Sequence, residues 1–197
     1  TQNDPPYVAL HLCEVITLRE RLTQLEEQTT PANSIYALKI IRQVAEALEL
    51  AERLDLFHYH LSPETIMLKE DGTVVVVDLG IPAAENGTAV QLTSLLDNAY
   101  LAPEQLQCKI IDSRGQIYAH GVVLYEILTG TLPAAPGSFW QSFKQTISPQ
   151  NTQLETIRPD LSSQTYALIE KSLRRQPWSR YNSIKKFLEA IDEALQN

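Results

Sequence analysis

Cysteine is scarce in this sequence. The 197 residues include only Cys13 and Cys108, which are far apart and not in a spacing typical of a metal site. A disulfide-rich secreted domain and a cysteine-bound metal centre are therefore not expected. A reduced, cytoplasmic protein is the simplest interpretation, with a single disulfide between the two cysteines left open.

Long apolar stretches and an excess of basic residues are also absent. No apolar run approaches the roughly 18–20 residues that a membrane-spanning helix needs, and the polar opening TQNDPP does not resemble a signal peptide. Lys and Arg number 16 against 24 Asp and Glu, which gives a net charge of −8, and no basic run occurs. Neither a membrane nor a nucleic acid is therefore expected as a partner.

The remaining composition is typical of a globular protein. Hydrophobic residues make up 44% of the sequence. A chain of this length can bury about 70% of the surface that it exposes when unfolded, so we expect one domain.

Apolar residues at helical spacing predict that most of the chain is α-helical. Thr17 and Glu20 have the spacing of a capping box, in which their side chains satisfy free N–H groups at a helix start. In the segment 117–128 apolar residues cover almost the whole circumference, which indicates a central buried helix and predicts that His120 is a satisfied core histidine. The predicted helices are 17–28, 31–54, 117–128 and segments near 138–146, 162–173 and 183–195.

The stretch from His58 to Gly80 combines a polar loop with a predicted β-hairpin. Asp71-Gly72 lies between two β-rich runs, which is the strongest short-range signal for a hairpin, so strands are expected at 66–69 and 73–77. Another strand is expected at 7–12, and the segment 81–98, which has no sustained period, is predicted to be a surface loop.

Five short motifs, in this order along the chain, resemble those of the protein kinase superfamily of the serine/threonine type. The loop HYHLSPET at 58–65 is similar to H-R-D-L-x-x-x-N, and DLG at 78–80 is similar to D-F-G. APE at 102–104 matches A-P-E, residues 117–130 resemble the central kinase helix, and residues 172–180 resemble the segment that carries a late arginine.

The resemblance implies a mainly α fold with a small β-hairpin, similar to the C-terminal lobe of a protein kinase. We expect one domain over 1–197, in which 1–16 hold the last strand of an N-terminal lobe and the hinge, and 17–197 form the helical lobe. The rest of the N-terminal lobe is expected to be absent, because nothing before Tyr7 could supply a glycine-rich loop or a strand lysine.

The resemblance also predicts which catalytic parts are changed. The family's catalytic aspartate is replaced by His60, its metal-binding asparagine by Thr65 and its loop lysine by Ser62, whereas Asp78 keeps the chemistry of a metal ligand. Gln116 replaces the aspartate that links the central helix to the loop, and this link is expected to be lost. Since one carboxylate alone is a poor Mg²⁺ site, we predict a non-enzyme, similar to a pseudokinase, with no catalytic, nucleotide-binding or metal-binding residue, no cofactor and no bound ATP.

Two kinds of contact are predicted to remain. Glu104 and Arg180 are expected to form a structural ion pair, and Trp140 and Trp178 to be packing anchors. The predicted function is a regulatory or protein–protein interaction module, in which a protein partner or a second copy covers the strand at 7–12 and the surface around Met67.

Two alternatives to this function stay open. The chain is also compatible with a C-lobe fragment or subunit of a nucleotide-dependent phosphotransferase that a separate N-lobe completes. It is further compatible with a structural spacer inside a larger protein.

Overall fold

The computed structural model of the protein describes residues 15–27, 32–80, 97–105, 112–133 and 154–196. The predicted strand at 7–12, the predicted helix near 138–146 and most of the predicted loop at 81–98 lie outside these residues, as do both cysteines and Trp140. Within the described ranges, no helix combines the length and the apolar character needed to cross a membrane.

A small antiparallel sheet contains three strands in the order β1–β2–β3. β1 spans Val15–Thr17, β2 spans Ile66–Lys69 and β3 spans Val74–Val76. The predicted hairpin is confirmed, and Gly72, with a φ of 84°, supplies the left-handed backbone of its turn. Val15 and Ile16 belong to the segment 1–16, which was expected to hold the hinge. They lie in β1, because they pair with the edge of β2 that β3 does not use.

The first two helices begin at the predicted capping residues. α1 spans Leu18–Glu27 and α2 spans Ser34–Glu52. The Thr17 N–H donates to Glu20 Oε2 over 2.7 Å, and the Glu20 N–H donates to Thr17 Oγ1 over 3.0 Å, so the capping box is present. The Asn33 side chain caps α2 by accepting hydrogen bonds from two N–H groups of its first turn.

The central helix α3, Ser113–Thr129, is buried around its whole circumference. Every residue from Gly115 to Leu128 is buried. The Asp112 side chain caps the first turn, and Gly130, with a φ of 71°, ends the helix in a left-handed conformation. The prediction of a central buried helix at 117–128 is confirmed, and α3 begins four residues earlier.

The later helices pack around α3. They are α4 (Leu154–Ile157), α5 (Ser163–Ser172) and α6 (Ile184–Leu195), and short 3₁₀ turns lie at Asp97–Tyr100 and Pro177–Ser179. α2, α5 and α6 all contact α3, whose apolar side chains form the centre of the core. Trp178, predicted as a packing anchor, is instead 73% exposed, because it lies on a short turn that has no buried residue.

Gly121 allows α3 to approach the end of α5 closely. A Cβ atom added at Gly121 would lie 2.7 Å from the Cβ of Ser172, which is closer than real Cβ atoms come. We expect Gly121→Ala to lower the free energy of unfolding by about 1–3 kcal/mol, as measured by urea denaturation.

Gly115→Ala, on the same helix, is the matched control. Its added Cβ would lie 3.4 Å from the Gln105 side chain and 3.8 Å from Glu104 Oε1, which are ordinary van der Waals distances. This substitution should leave the stability unchanged or raise it by up to about 1 kcal/mol. Equal losses in the two variants would contradict the close approach at Gly121.

Candidate functional site

His58 ties the loop at 58–65 to the end of β3. Its ring is buried, and Nε2 lies 2.8 Å from the carbonyl oxygen of Val77. Because a carbonyl oxygen only accepts, Nε2 carries the proton, and Nδ1 accepts a hydrogen bond from the His60 N–H over 3.3 Å. Burial lowers the pKa of His58, although the bond to the Val77 carbonyl opposes this, so the ring is neutral at pH 7. One neutral imidazole therefore fixes His60 and Val77 relative to each other.

Gln116 ties the same loop to α3. The His58 backbone N–H donates to Gln116 Oε1 over 2.9 Å. The prediction that this link is lost is wrong, because an amide oxygen accepts a hydrogen bond as a carboxylate oxygen does. His58 is thus held from two sides, by β3 through its ring and by α3 through its backbone.

The Thr65 hydroxyl is used inside the loop. It donates to the Ser62 carbonyl oxygen over 3.0 Å and accepts from the Ser62 N–H over 3.2 Å. Thr65 is also buried. The side chain at the position of the family's metal-binding asparagine therefore closes the loop on itself and does not present its oxygen outward.

Asp78 has an uncommon backbone conformation just after β3. Its φ is 61°, in the left-handed region that residues other than glycine rarely adopt. Asp55, with a φ of 56°, is explained by the end of α2, where the Leu56 N–H donates to the Ala51 carbonyl oxygen over 3.0 Å. No helix end explains Asp78, and backbone strain of this kind gathers at functional sites.

The turn Asp78–Gly80 lies beside the loop. The Gly80 N–H donates to the carbonyl oxygen of Phe57, the residue before His58, over 3.1 Å. The Asp78 residue itself is exposed. As expected for the open end of a hairpin, the loop and this turn lie together, and Asp78 presents the exposed carboxylate of the turn.

The described residues do not fit a self-contained Mg²⁺ site. In the ranges that the structure describes, no group of three or more His, Cys, Asp and Glu side chains is arranged to hold a metal. Asp78 offers one carboxylate, and the Thr65 oxygen is turned into the loop, whereas Mg²⁺ requires a near-octahedral set of oxygens. The absence of metal-binding, nucleotide-binding and catalytic residues stays a prediction.

A charged network that we did not predict joins the loop to α1 and α3. Arg19 donates to Glu64 Oε1 and to Glu126 Oε1, both over 2.7 Å. It also donates to the Tyr100 hydroxyl over 2.5 Å, and this hydroxyl donates to Glu126 Oε2 over 2.6 Å. Burial and the Glu126 carboxylate raise the pKa of Tyr100, so its hydroxyl keeps the proton. The available signal was Glu126, the one acidic residue in the apolar sequence of α3.

Glu104 and Arg180 form the expected ion pair. Two nearly parallel hydrogen bonds, of 2.6 and 2.9 Å, join the guanidinium to the two carboxylate oxygens. The Arg180 side chain is 0% exposed, and it also donates to the carbonyl oxygens of Arg114, Arg174 and Arg175. The pair therefore joins the segment 102–104 to the start of α3 and to the turn after α5.

The protein-family comparison identifies the class of protein. The model for the protein kinase domain matches residues 2–195. This match covers nearly the whole chain, and the chain belongs to the protein kinase family.

Individual relatives are named as serine/threonine kinases of bacteria. PknL of Mycobacterium tuberculosis is 30% identical over 195 residues, which are 96% of this chain and 48% of that protein. A probable serine/threonine-protein kinase of Clostridium perfringens is 29% identical over 200 residues, which are 98% of this chain and 28% of that protein. The chain spans less than half the length of these curated relatives.

Solved structures agree on the fold. The PknI kinase domain of Mycobacterium tuberculosis matches with a TM-score of 0.70 at 21% identity, over 93% of this chain and 63% of that one. At this identity the similarity shows a kinase-like fold and no more.

The prediction that the chain is not an enzyme is wrong. Its relatives are named as serine/threonine protein kinases, which points to an enzyme. The missing glycine-rich loop and strand lysine do not count against activity, because the chain spans less than half the length of those proteins.

The Glu104–Arg180 pair is expected to be important for stability. Glu104→Gln would leave the buried Arg180 charge without its counter-charge, so the free energy of unfolding should fall by about 3–5 kcal/mol in urea denaturation.

The exposed Glu170–Arg174 pair provides the control. Its 2.7 Å contact joins residues one helical turn apart, and both side chains are about half exposed. Glu170→Gln should change stability by less than about 0.5 kcal/mol. A loss at Glu104 as small as that at Glu170 would show that the buried pair has no structural role.

Proposed function

We propose that the chain is the helical lobe of a serine/threonine protein kinase, and that it takes part in transferring a phosphoryl group from a nucleotide to a protein hydroxyl. An N-terminal lobe, in the same or another polypeptide, completes the nucleotide site. The observation that carries the proposal is the match of residues 2–195 to the protein kinase domain.

The geometry of the site supports this proposal. Phosphoryl transfer depends mostly on positioning the reacting groups and on stabilising charge. The loop at 58–65 and the turn Asp78–Gly80 are held together by His58, and α3 holds the loop through Gln116. Asp78 adds an exposed carboxylate on a constrained backbone. A rigid edge with an accessible carboxylate is suited to the lower side of a phosphoryl-transfer site.

Several finer statements belong to this proposal. The lobe boundaries are residues 1–16 for the last strand of the upper lobe and the hinge, and residues 17–197 for the helical lobe. Proteins are the expected substrates or partners, as in the family, and the expectation that ATP does not bind finds no support among relatives named as kinases. A regulatory role, self-association and a cytoplasmic location stay predictions.

The test is phosphate incorporation into a serine- and threonine-containing protein substrate, catalysed by the polypeptide at its full natural length. We expect activity in the unchanged protein, and a loss of about 100-fold in Asp78→Asn, because an electrostatic group at the reacting centre is removed.

Asp71→Asn is the matched control, with the same change at the opposite end of the same hairpin. Asp71 accepts a hydrogen bond from the Thr73 N–H over 2.8 Å, and an asparagine oxygen can accept it equally. Its activity should equal that of the unchanged protein. Absence of phosphate transfer in the unchanged protein would overturn the proposed function, and equal losses in both variants would remove the special role of Asp78.

A further inference from the structure

Two buried polar atoms on α3 lack a hydrogen-bond partner within the described part of the chain. They are Nε2 of Gln116 and Nε2 of His120. Gln116 is 2% exposed and His120 is 0% exposed, so bulk water does not reach them. Each unsatisfied buried polar group costs about 1–3 kcal/mol, so each of these two atoms is expected to have a partner. His120 lies in the core, as predicted.

The two atoms have complementary hydrogen-bonding character. His120 Nδ1 lies 2.7 Å from the Gln116 carbonyl oxygen. Since this oxygen only accepts, Nδ1 carries the ring proton and Nε2 is an acceptor. Gln116 Oε1 accepts from the His58 N–H, which identifies Nε2 of Gln116 as the amide donor. Burial lowers the pKa of His120 to about 4, although the hydrogen bond to the Gln116 carbonyl opposes this shift. The His120 ring is therefore neutral at pH 7.

The positions of the two residues bring this donor and acceptor to the same side of α3. Residues four apart on a helix have Cβ atoms about 5–6 Å apart. We propose that the Gln116 side-chain amide donates a hydrogen bond to one internal water molecule, that this water donates to His120 Nε2, and that the bridge holds Gln116 in the orientation that positions the loop at 58–65.

The proposal makes Gln116 and His120 positioning residues. The path of hydrogen bonds runs from His120 to the Gln116 side chain, from there to the His58 backbone, and from the His58 ring to Val77, the residue before Asp78. Without an acceptor at His120, the Gln116 amide would be free to turn its NH₂ group toward His58. The NH₂ group and the His58 N–H are both donors, so the bond between the two residues would be lost. The importance of the bond for phosphoryl transfer rests on the proposed function, but the bond itself does not.

Nitrogen NMR of the histidine side chains in the full chain tests the bond without any activity measurement. We expect His120 in the Nδ1–H tautomer, with its Nε2 resonance shifted to the position of a hydrogen-bonded acceptor. A crystal structure then tests the bridge, since the water should appear as density within about 3 Å of each Nε2 atom. The proposal would be overturned by an Nε2–H tautomer, or by an Nε2 chemical shift typical of a ring nitrogen that accepts no hydrogen bond.

Amide hydrogen exchange in His120→Leu tests the positioning role. We expect exchange of the His58 N–H to speed up about tenfold, the factor that corresponds to losing one ordinary hydrogen bond. The Gly130 N–H, which donates to the Glu126 carbonyl oxygen over 2.8 Å at the other end of α3, is the internal reference and should be unchanged. Equal acceleration at both sites, or none at His58, would reduce His120 to a packing residue.

Gln116→Glu provides a second variant of the same shape. The introduced carboxylate can still accept from the His58 N–H, but it cannot donate to the bridging water. His120 should then take up a proton at Nε2, so its pKa should rise. Among the described residues, the other groups shown to face His120 are the Phe187 ring, at 5.3 Å between centroids, and His58, and the substitution alters neither. An unchanged pKa of His120 in a folded Gln116→Glu protein would show that the two side chains do not interact.

Discussion

The structure depends on the complete burial of α3. A helix that is buried on every side must give each of its polar groups a partner, because unpaired polar groups are costly in a core. α3 forms such bonds with three segments outside the helix. These are the loop at 58–65 through Gln116, the turn at 97–100 through Glu126, and the turn around Arg180 through the Arg114 carbonyl. The core therefore positions the parts of the site. A substitution inside α3 is expected to shift the site residues even where the substituted residue does not contact them.

Much of the fold was predictable because local signals decide it. The capping box at Thr17 and Glu20, the Asp71-Gly72 turn and the apolar circumference of α3 each act within a few residues, and each prediction was confirmed. Local sequence signals do not determine how exposed a side chain is to solvent. Trp178 has the side chain of a core residue, but it lies on a turn whose direction is set by contacts elsewhere in the chain.

The position of the site was predictable from the sequence, but one of its links was predicted wrongly. The motif positions located His60, Thr65 and Asp78 at the open end of one hairpin, and the partnership of Glu104 with Arg180 followed from the same resemblance. Residue identity alone did not show that Gln116 keeps its bond to the loop, because the oxygen that accepts is common to amides and carboxylates. The Arg19 network was missed, since its members come from four separate segments that only the fold brings together.

Whether this chain serves a nucleotide-dependent enzyme is tested most directly by calorimetric titration of the full-length polypeptide with Mg²⁺ and ATP. Saturable binding is predicted, with a dissociation constant in the range of about 1 μM to 1 mM that enzymes commonly show for their substrates. No binding at ATP concentrations well above that range, from a polypeptide that is folded and contains both lobes, would contradict the assignment of this chain to a working kinase.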